Sequence, residues 1–265
     1  SLPLLATTAL LTAGLAAPAT ADAVADFYKG KTVTVVVAAG PGGGHTKYTQ
    51  YLAPFLEKHM PGKPSFIVQN MGGAGGTKAA NFLYPRGRKD GTMIGSLLSG
   101  TPLASRLRTT GVKYVAKEFQ FLGGADQPRS AFVVYKTTGV KSLDDAKKKQ
   151  VVLGSTGKGS QTYVLPTLVN SMLGTKFKVI TGYRGMGGIY LAMDKAEVQG
   201  FQSSWSGYKI ARPHLVEKID VIAANALTPL KDRPEVPLLK ELMTNPEDKK
   251  VAELPGGNMI LGRGW

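Results

Sequence analysis

The feature that most constrains this chain is a β-branched run that ends in a glycine turn and restarts as an amphipathic segment. Thr32-Val33-Thr34-Val35-Val36-Val37-Ala38-Ala39 leads into Gly40-Pro41-Gly42-Gly43-Gly44-His45-Thr46, and Lys47 to His59 then carries apolar residues at Tyr48, Tyr51, Leu52, Phe55 and Leu56. This order predicts a buried strand, a tight loop and a helix. Such a loop delivers bare backbone N–H groups to a helix start, where they lack intrahelical partners and sit at the positive end of the dipole, a setting that suits an anion. Glycines matter there because a side chain would hold a ligand away from the backbone. Many α/β units carry such a turn and bind nothing, so this stretch alone leaves both readings open.

The same device recurs. Ser65 to Gln69 reads as a second strand, and Asn70-Met71-Gly72-Gly73-Ala74-Gly75-Gly76-Thr77 then enters a helix beginning near Lys78. After a basic turn from Pro85 to Gly91, Thr92 to Ser96 reads as a third strand, and Ser99-Gly100-Thr101-Pro102 opens a turn with proline placed for a helix start. Three strand-turn-helix units in succession predict a parallel sheet whose turns converge outside the carboxyl ends of its strands.

A second set follows a change of rhythm near Phe119 to Arg129. Ala131 to Tyr135 and Val151 to Gly154 read as strands, with a capping-box start at Ser142 between them. Ser155-Thr156-Gly157-Lys158-Gly159-Ser160 repeats the first turn before a helix running to Leu173. Lys176 to Thr181 is a further strand, followed by Gly182-Tyr183-Arg184-Gly185 and a helix to Lys195; Val198 to Gln202 is another strand, ending in Ser203-Ser204-Trp205. Asp220 to Ala226 reads as a strand returning to the first lobe, with a helix at Leu238 to Met243 and a short strand near Met259 to Leu261 beyond it. The expected organisation is therefore a lobe at 22–125 plus 220–265, a lobe at 126–219, and a preceding segment at 1–21.

That segment, Leu2 to Ala21, is uncharged, rich in Leu and Ala, and ends Ala19-Thr20-Ala21 before Asp22. It has the apolar region and small-residue cleavage pattern of a secretory signal peptide. A membrane anchor is the competing reading, which Pro18 and the small residues disfavour. The expectation is export with this segment removed, leaving a soluble mature protein. The chain has no cysteine, which excludes disulfides and thiolate chemistry. Its 33 Lys and Arg against 18 Asp and Glu give a formal charge of +15. The basic residues are scattered, however, and no RNA-binding or helix-turn-helix pattern accompanies them, so nucleic acid is not an expected partner.

Spacing weighs against nucleotides. In a Walker A loop, Gly157-Lys158 would be followed by Ser or Thr and preceded by a glycine where Val152 stands. Both Gly42 to Lys47 and Gly73 to Lys78 end in Lys where a dinucleotide fingerprint needs a small residue. Catalysis fares no better. The three histidines, His45, His59 and His214, lack paired metal-site spacing, and no serine sits in a nucleophile elbow. No catalytic residue, metal or cofactor is expected. Among possible pocket residues, His45 either shapes the wall or donates to an anion, Arg184 either grips a carboxylate or is solvated, Tyr183 is a wall or a packed strand end, and Trp205 is a cleft floor or core.

Taken together, these motifs resemble the tripartite tricarboxylate transporter substrate-binding family, the Bug-type periplasmic receptors. The resemblance covers most of the chain from Phe27-Tyr28-Lys29-Gly30-Lys31 onward, and includes the glycine turns at 40–44, 70–76, 154–160 and 182–185, Asp90-Gly91-Thr92 and the Glu197-Val198 turn. It implies an α/β protein of the two-lobed, type II periplasmic binding class (a Venus flytrap), each lobe a mixed sheet flanked by helices. It further implies that the protein is not an enzyme, and that it is a monomer which holds a small carboxylate between its lobes and delivers it to membrane components of a tripartite tricarboxylate-type transporter. An exported phosphate- or nucleotide-binding protein, or an enzyme on a similar scaffold, is the alternative. Carried onto this sequence, the expected ligand contacts are Gly42, Gly43, Gly44, His45, Thr46, Gly75, Gly76, Ser99 and Thr101 from the first lobe. From the second they are Ser155, Thr156, Gly157, Gly159 and Ser160, with Tyr183, Arg184 and Ser203 as further walls. The chain departs from the family pattern at Thr46, where an acidic residue is frequent, at Thr49-Gln50 in place of Ala-Arg, and at Gln199 in place of Asp. A neutral Thr46 predicts a ligand with one or two carboxylates and no amino group.

Overall fold

A computed structural model describes residues 22–107, 110–124, 126–257 and 262–265. The expected signal peptide at 1–21 and the expected strand near Met259 to Leu261 lie outside the described residues. Among the described residues, no helix is long and apolar enough to cross a membrane.

The chain enters through a short helix, α1 (Ala23–Tyr28), whose start is capped by the Asp22 carboxylate accepting from the N–H groups of Val24 and Ala25. Three strand-helix units follow: β1 (Thr32–Val37) and α2 (Gly44–His59), β2 (Ser65–Asn70) and α3 (Thr77–Arg86), then β3 (Met93–Ser96) and α4 (Thr101–Arg106). They build a sheet of order β2-β1-β3 in which both pairings are parallel. This sheet is wholly parallel among its described strands, as three successive strand-turn-helix units predict; the mixed sheet is the second one. The valines of β1 explain its central place. Val36 packs with Ala79 and Leu83 of α3, while Val35 and Val37, on the other face, pack with Phe66, Val68 and Trp265. A strand covered on both faces needs an unbroken apolar run. One boundary differs from expectation: α3 continues through Pro85 to Arg86. A proline in the last turn removes one hydrogen bond without stopping the helix.

The second sheet is built from β4 (Ser130–Tyr135), α5 (Leu143–Lys148), β5 (Val151–Gly154), α6 (Gln161–Leu173), β6 (Phe177–Ile180), α7 (Met186–Asp194), β7 (Gly200–Ser204), α8 (Trp205–Ala211) and β8 (Ile219–Asn225). Its order is β6-β5-β7-β4-β8, with β5 parallel to β6 and β7, and β4 antiparallel to β7 and β8. Alternate residues of β4 feed two cores. Ala131 and Val133 pack with Ile189, Tyr190, Phe201 and Tyr208, whereas Phe132 and Val134 pack with Leu165, Val169 and Ile222.

The end of the chain pairs otherwise than expected. The strand expected to return to the first lobe instead pairs with β4, Ser130 opposite Asn225 and Tyr135 opposite Ile219. Its Ile222 and Ala223 enter one core and Ala224 the other, so the strand is buried where it lies. The helix expected at Leu238 to Met243 contracts to a 3₁₀ turn over Leu239–Glu241, and an unanticipated helix, α9 (Pro246–Gly257), follows. Asn245 Oδ1 accepts from Glu247 N at 2.9 Å, with proline at the first helical position, which together start α9. Ala252 of α9 and Leu239 join the second core, so this segment belongs with the second sheet. Trp265, by contrast, packs against Val35 and Val37 of the first sheet, and its backbone pairs with the segment before β4: Leu122 N donates to Trp265 O at 2.8 Å, and Trp265 N to Gly123 O at 3.0 Å.

Candidate functional site

The turns that follow β1, β2 and β3 in one lobe and β5, β6 and β7 in the other converge on one cavity of about 120 Å³. This is below the roughly 300–1,000 Å³ of pockets for drug-sized ligands. It suits a small metabolite.

The first turn is braced from within. Thr46 Oγ1 donates to Gly40 O at 2.9 Å, and Asn70 Nδ2 donates to both Ala39 O (2.9 Å) and Thr46 Oγ1 (2.8 Å). Gly42 adopts a left-handed φ of 80°, and Gly43 stands at the N-cap of α2 with no side chain to close its first turn. The first N–H groups of this 16-residue helix are therefore left for a ligand. In the second lobe the turn after β5 closes on itself: Ser160 Oγ accepts from Thr162 N at 3.2 Å, and Ser155 Oγ and Thr162 Oγ1 lie 2.9 Å apart. The uncapped helix start on that side is α7, whose N-cap is Gly185.

The lobes meet backbone to backbone beside the cavity. Gly40 N donates to Arg184 O at 3.1 Å, and Gly75 N to Thr156 O at 3.3 Å. A Cβ placed on Gly72 would lie 2.1 Å from Arg184 O, one on Gly44 2.6 Å from Gly207 Cα, and one on Gly187 2.5 Å from Pro41 O. These glycines are required by the approach of one lobe to the other, whereas the sequence suggests only the approach of a ligand.

Of the expected site residues, Gly43, Gly44, His45, Gly75, Gly76, Ser99, Thr156, Gly159, Ser160, Arg184 and Ser203 line the cavity. Others are placed elsewhere. Thr46 is buried with its hydroxyl committed to the loop, so it offers no explanation for discrimination against an amino group. Ser155 is fully buried in its hydroxyl network, and Gly157 abuts the backbone of Ala74 and Gly75. Gly42 packs against Gly187, Thr101 carries a carbonyl that accepts from Tyr114 Oη, and Tyr183 packs against the core. Trp205 is buried and donates Nε1 to Asp232, which makes it core. The departures at Thr49 and Gln199 are structural as well: Thr49 Oγ1 donates to His45 O, and Gln199 Oε1 accepts from Val152 N.

His45 is a neutral wall. Burial, reinforced by the nearby Arg263 charge, lowers its pKa to about 4, and Nε2 lies 3.1 Å from Ser96 Oγ. The cavity residues that sequence reasoning misses include Ser204, Gly207 and Arg263. Ser203-Ser204-Trp205-Ser206-Gly207 is another strand-to-helix turn, and its small residues are the signal that could have extended the site beyond Ser203. Arg263 carries no such signal. Its guanidinium is almost wholly buried, stacks over the Tyr48 ring at 4.0 Å from the centroid, and lies 3.3 Å through Nε from Asp126 Oδ2. Burial pulls its pKa down while Asp126 opposes the shift, and an arginine in this state remains a cation.

No protein-family model matches the chain, and no curated protein matches it in sequence. Solved structures do resemble it. MatC from Rhodopseudomonas palustris with bound malate aligns at a TM-score of 0.67 and 19% identity, over 87% of this chain and 84% of that one. An R. palustris protein with adipate aligns at 0.65 and 18%, over 87% and 82%. The periplasmic binding protein BugD aligns at 0.64 and 17%, over 88% and 84%. These similarities establish the two-lobed fold of periplasmic binding proteins.

Proposed function

We propose that this protein is a solute receptor of the Bug type, which captures a small organic carboxylate between its two lobes and performs no reaction on it. In this reading it works in the periplasm and hands its ligand to the membrane components of a tripartite tricarboxylate-type transporter. The observation that carries the proposal is the small cavity between the lobes, lined by glycine turns from both sheets and by the uncapped start of α2. Hydrogen bonds to a charged group contribute about 1.5–3 kcal/mol each. A carboxylate that engages both lobes thus favours the closed arrangement by the difference between its contacts there and in an open one. The malate and adipate held by two similar structures support this ligand class.

The test is thermal unfolding against mono-, di- and tricarboxylates, amino acids and nucleotides. A ligand at a hundredfold over its Kd adds about 2.7 kcal/mol of stability. For a chain of this size that is a Tm shift of roughly 5–10 °C. The expected result is such a shift with a carboxylate. A shift with a nucleotide or inorganic phosphate, and with no carboxylate, overturns the proposal.

A further inference from the structure

Arg263 comes from the far end of the sequence to the cavity wall, where it touches both lobes. Its backbone N–H is fixed by donation to Asp126 O at 2.9 Å. The guanidinium stacks on Tyr48 of α2 in the first lobe, and Nη2 donates to Ser204 Oγ, at the turn between β7 and α8 in the second, at 3.0 Å. The neighbouring carboxylate leaves this cation incompletely satisfied. Nε and Asp126 Oδ2 are 3.3 Å apart, yet both are buried without a hydrogen-bond partner. A buried guanidinium is stable only when its charge and its donors are both met. Nε itself is shut in beside Asp126, but Arg263 also lines the cavity, so a ligand held there can meet the guanidinium through another of its nitrogens. Arg184, the other arginine lining the cavity, is exposed.

We infer that Arg263 is the charge partner of the ligand, donating from its guanidinium to a carboxylate held in the cavity, so that recognition does not rest on backbone N–H groups alone. The inference rests on the receptor reading and adds a side chain that sets ligand charge. It also gives residues 262–265 a role in the site: the tail that pairs with residues 122–126 delivers the cation that contacts the second lobe. Arginine suits the task because its planar fork meets a carboxylate through two parallel N–H bonds while its face stays stacked on Tyr48.

The experiment is isothermal titration of the full chain and of its Arg263→Gln and Arg263→Lys variants. The probes are acetate, malate, succinate and adipate, each paired with its fully amidated counterpart. The wild type should prefer its best acid over the matching amide by at least a hundredfold. In R263Q that preference should fall at least tenfold, with the acid weakened and the amide nearly unchanged. R263K, which keeps the charge and loses the fork, should bind the acid about tenfold less tightly than wild type. A merely structural role would weaken acid and amide together, and that outcome overturns the inference. So does an R263K variant with wild-type affinity, which remains decisive if R263Q does not fold. If the wild type binds none of the acids, the receptor reading falls and takes this inference with it. If the wild type binds an acid and R263Q keeps the full preference, the inference alone falls.

Discussion

Gly187→Ala separates closure of the lobes from stability of the fold. Gly187 lies in the first turn of α7, and a Cβ there would sit 2.5 Å from Pro41 O and 3.2 Å from Gly42 Cα, both on the other lobe. Within its own helix, alanine is the better residue by up to about 1 kcal/mol. Between the lobes the added methyl overpacks, at about 1–3 kcal/mol. The penalty applies only where the lobes touch, and an open arrangement escapes it. The variant should therefore unfold at a Tm equal to wild type or up to about 4 °C higher. It should bind its carboxylate about 5- to 150-fold more weakly, at 1.4 kcal/mol per tenfold. Gly188→Ala is the matched control, because a Cβ there meets only Tyr183 carbons at 3.7 and 3.8 Å within the same lobe. Scanning calorimetry and titration of both variants decide the matter. Wild-type affinity in G187A, or an equal loss in G188A, would refute the argument that these glycines exist to let the lobes meet.

The brace beneath the first turn gives a second prediction: Asn70→Ala removes two donated bonds, to Ala39 O and Thr46 Oγ1, and leaves buried acceptors behind. It should lower stability by about 1–3 kcal/mol in chemical denaturation, and an unchanged midpoint would show that the turn holds its shape alone. Gly43→Val should abolish carboxylate binding in a titration while leaving the circular dichroism of the fold intact, because a branched side chain would stand at the uncapped start of α2; unchanged affinity would remove this loop from the site. His45 should impose a pH dependence, since its folded pKa of about 4 lies below its ordinary 6.5. Between those values the unfolded chain binds the extra proton, so stability rises with pH through the window and this contribution is level above it. The full contribution is about 3 kcal/mol at 1.36 kcal/mol per unit. His45→Gln should flatten the slope of unfolding free energy between pH 4 and 6.5, and parallel profiles for variant and wild type would contradict the assignment.

What the sequence makes legible here is local. The valines of β1 announce a strand buried on both faces, and the glycine turns announce where strands stop and helices begin, because each signal is spent within a few residues of its cause. The partner of a strand is not local. Ile219–Asn225 reads as a strand in any context, and its place beside β4 is set by contacts far away in sequence. The same limit applies to glycine. Its presence at 44, 72 and 187 shows that something approaches closely, yet a ligand and a second lobe leave the same trace in sequence. Thr46 illustrates the converse error: a polar residue next to a binding turn invites a ligand role, while its hydroxyl is already committed to Gly40 and Asn70. Arg263 reaches the cavity only through tertiary pairing of the tail with residues 122–126.

The most direct test of a carboxylate site between the lobes is a crystal structure of the protein with the carboxylate that binds it most tightly in titration. The expected result is a carboxylate group between the lobes, within hydrogen-bond distance of the first N–H groups of α2 and of the Arg263 guanidinium. A carboxylate bound outside this cavity, or lobes that remain apart around it, would contradict the claim that the glycine turns form a receptor site.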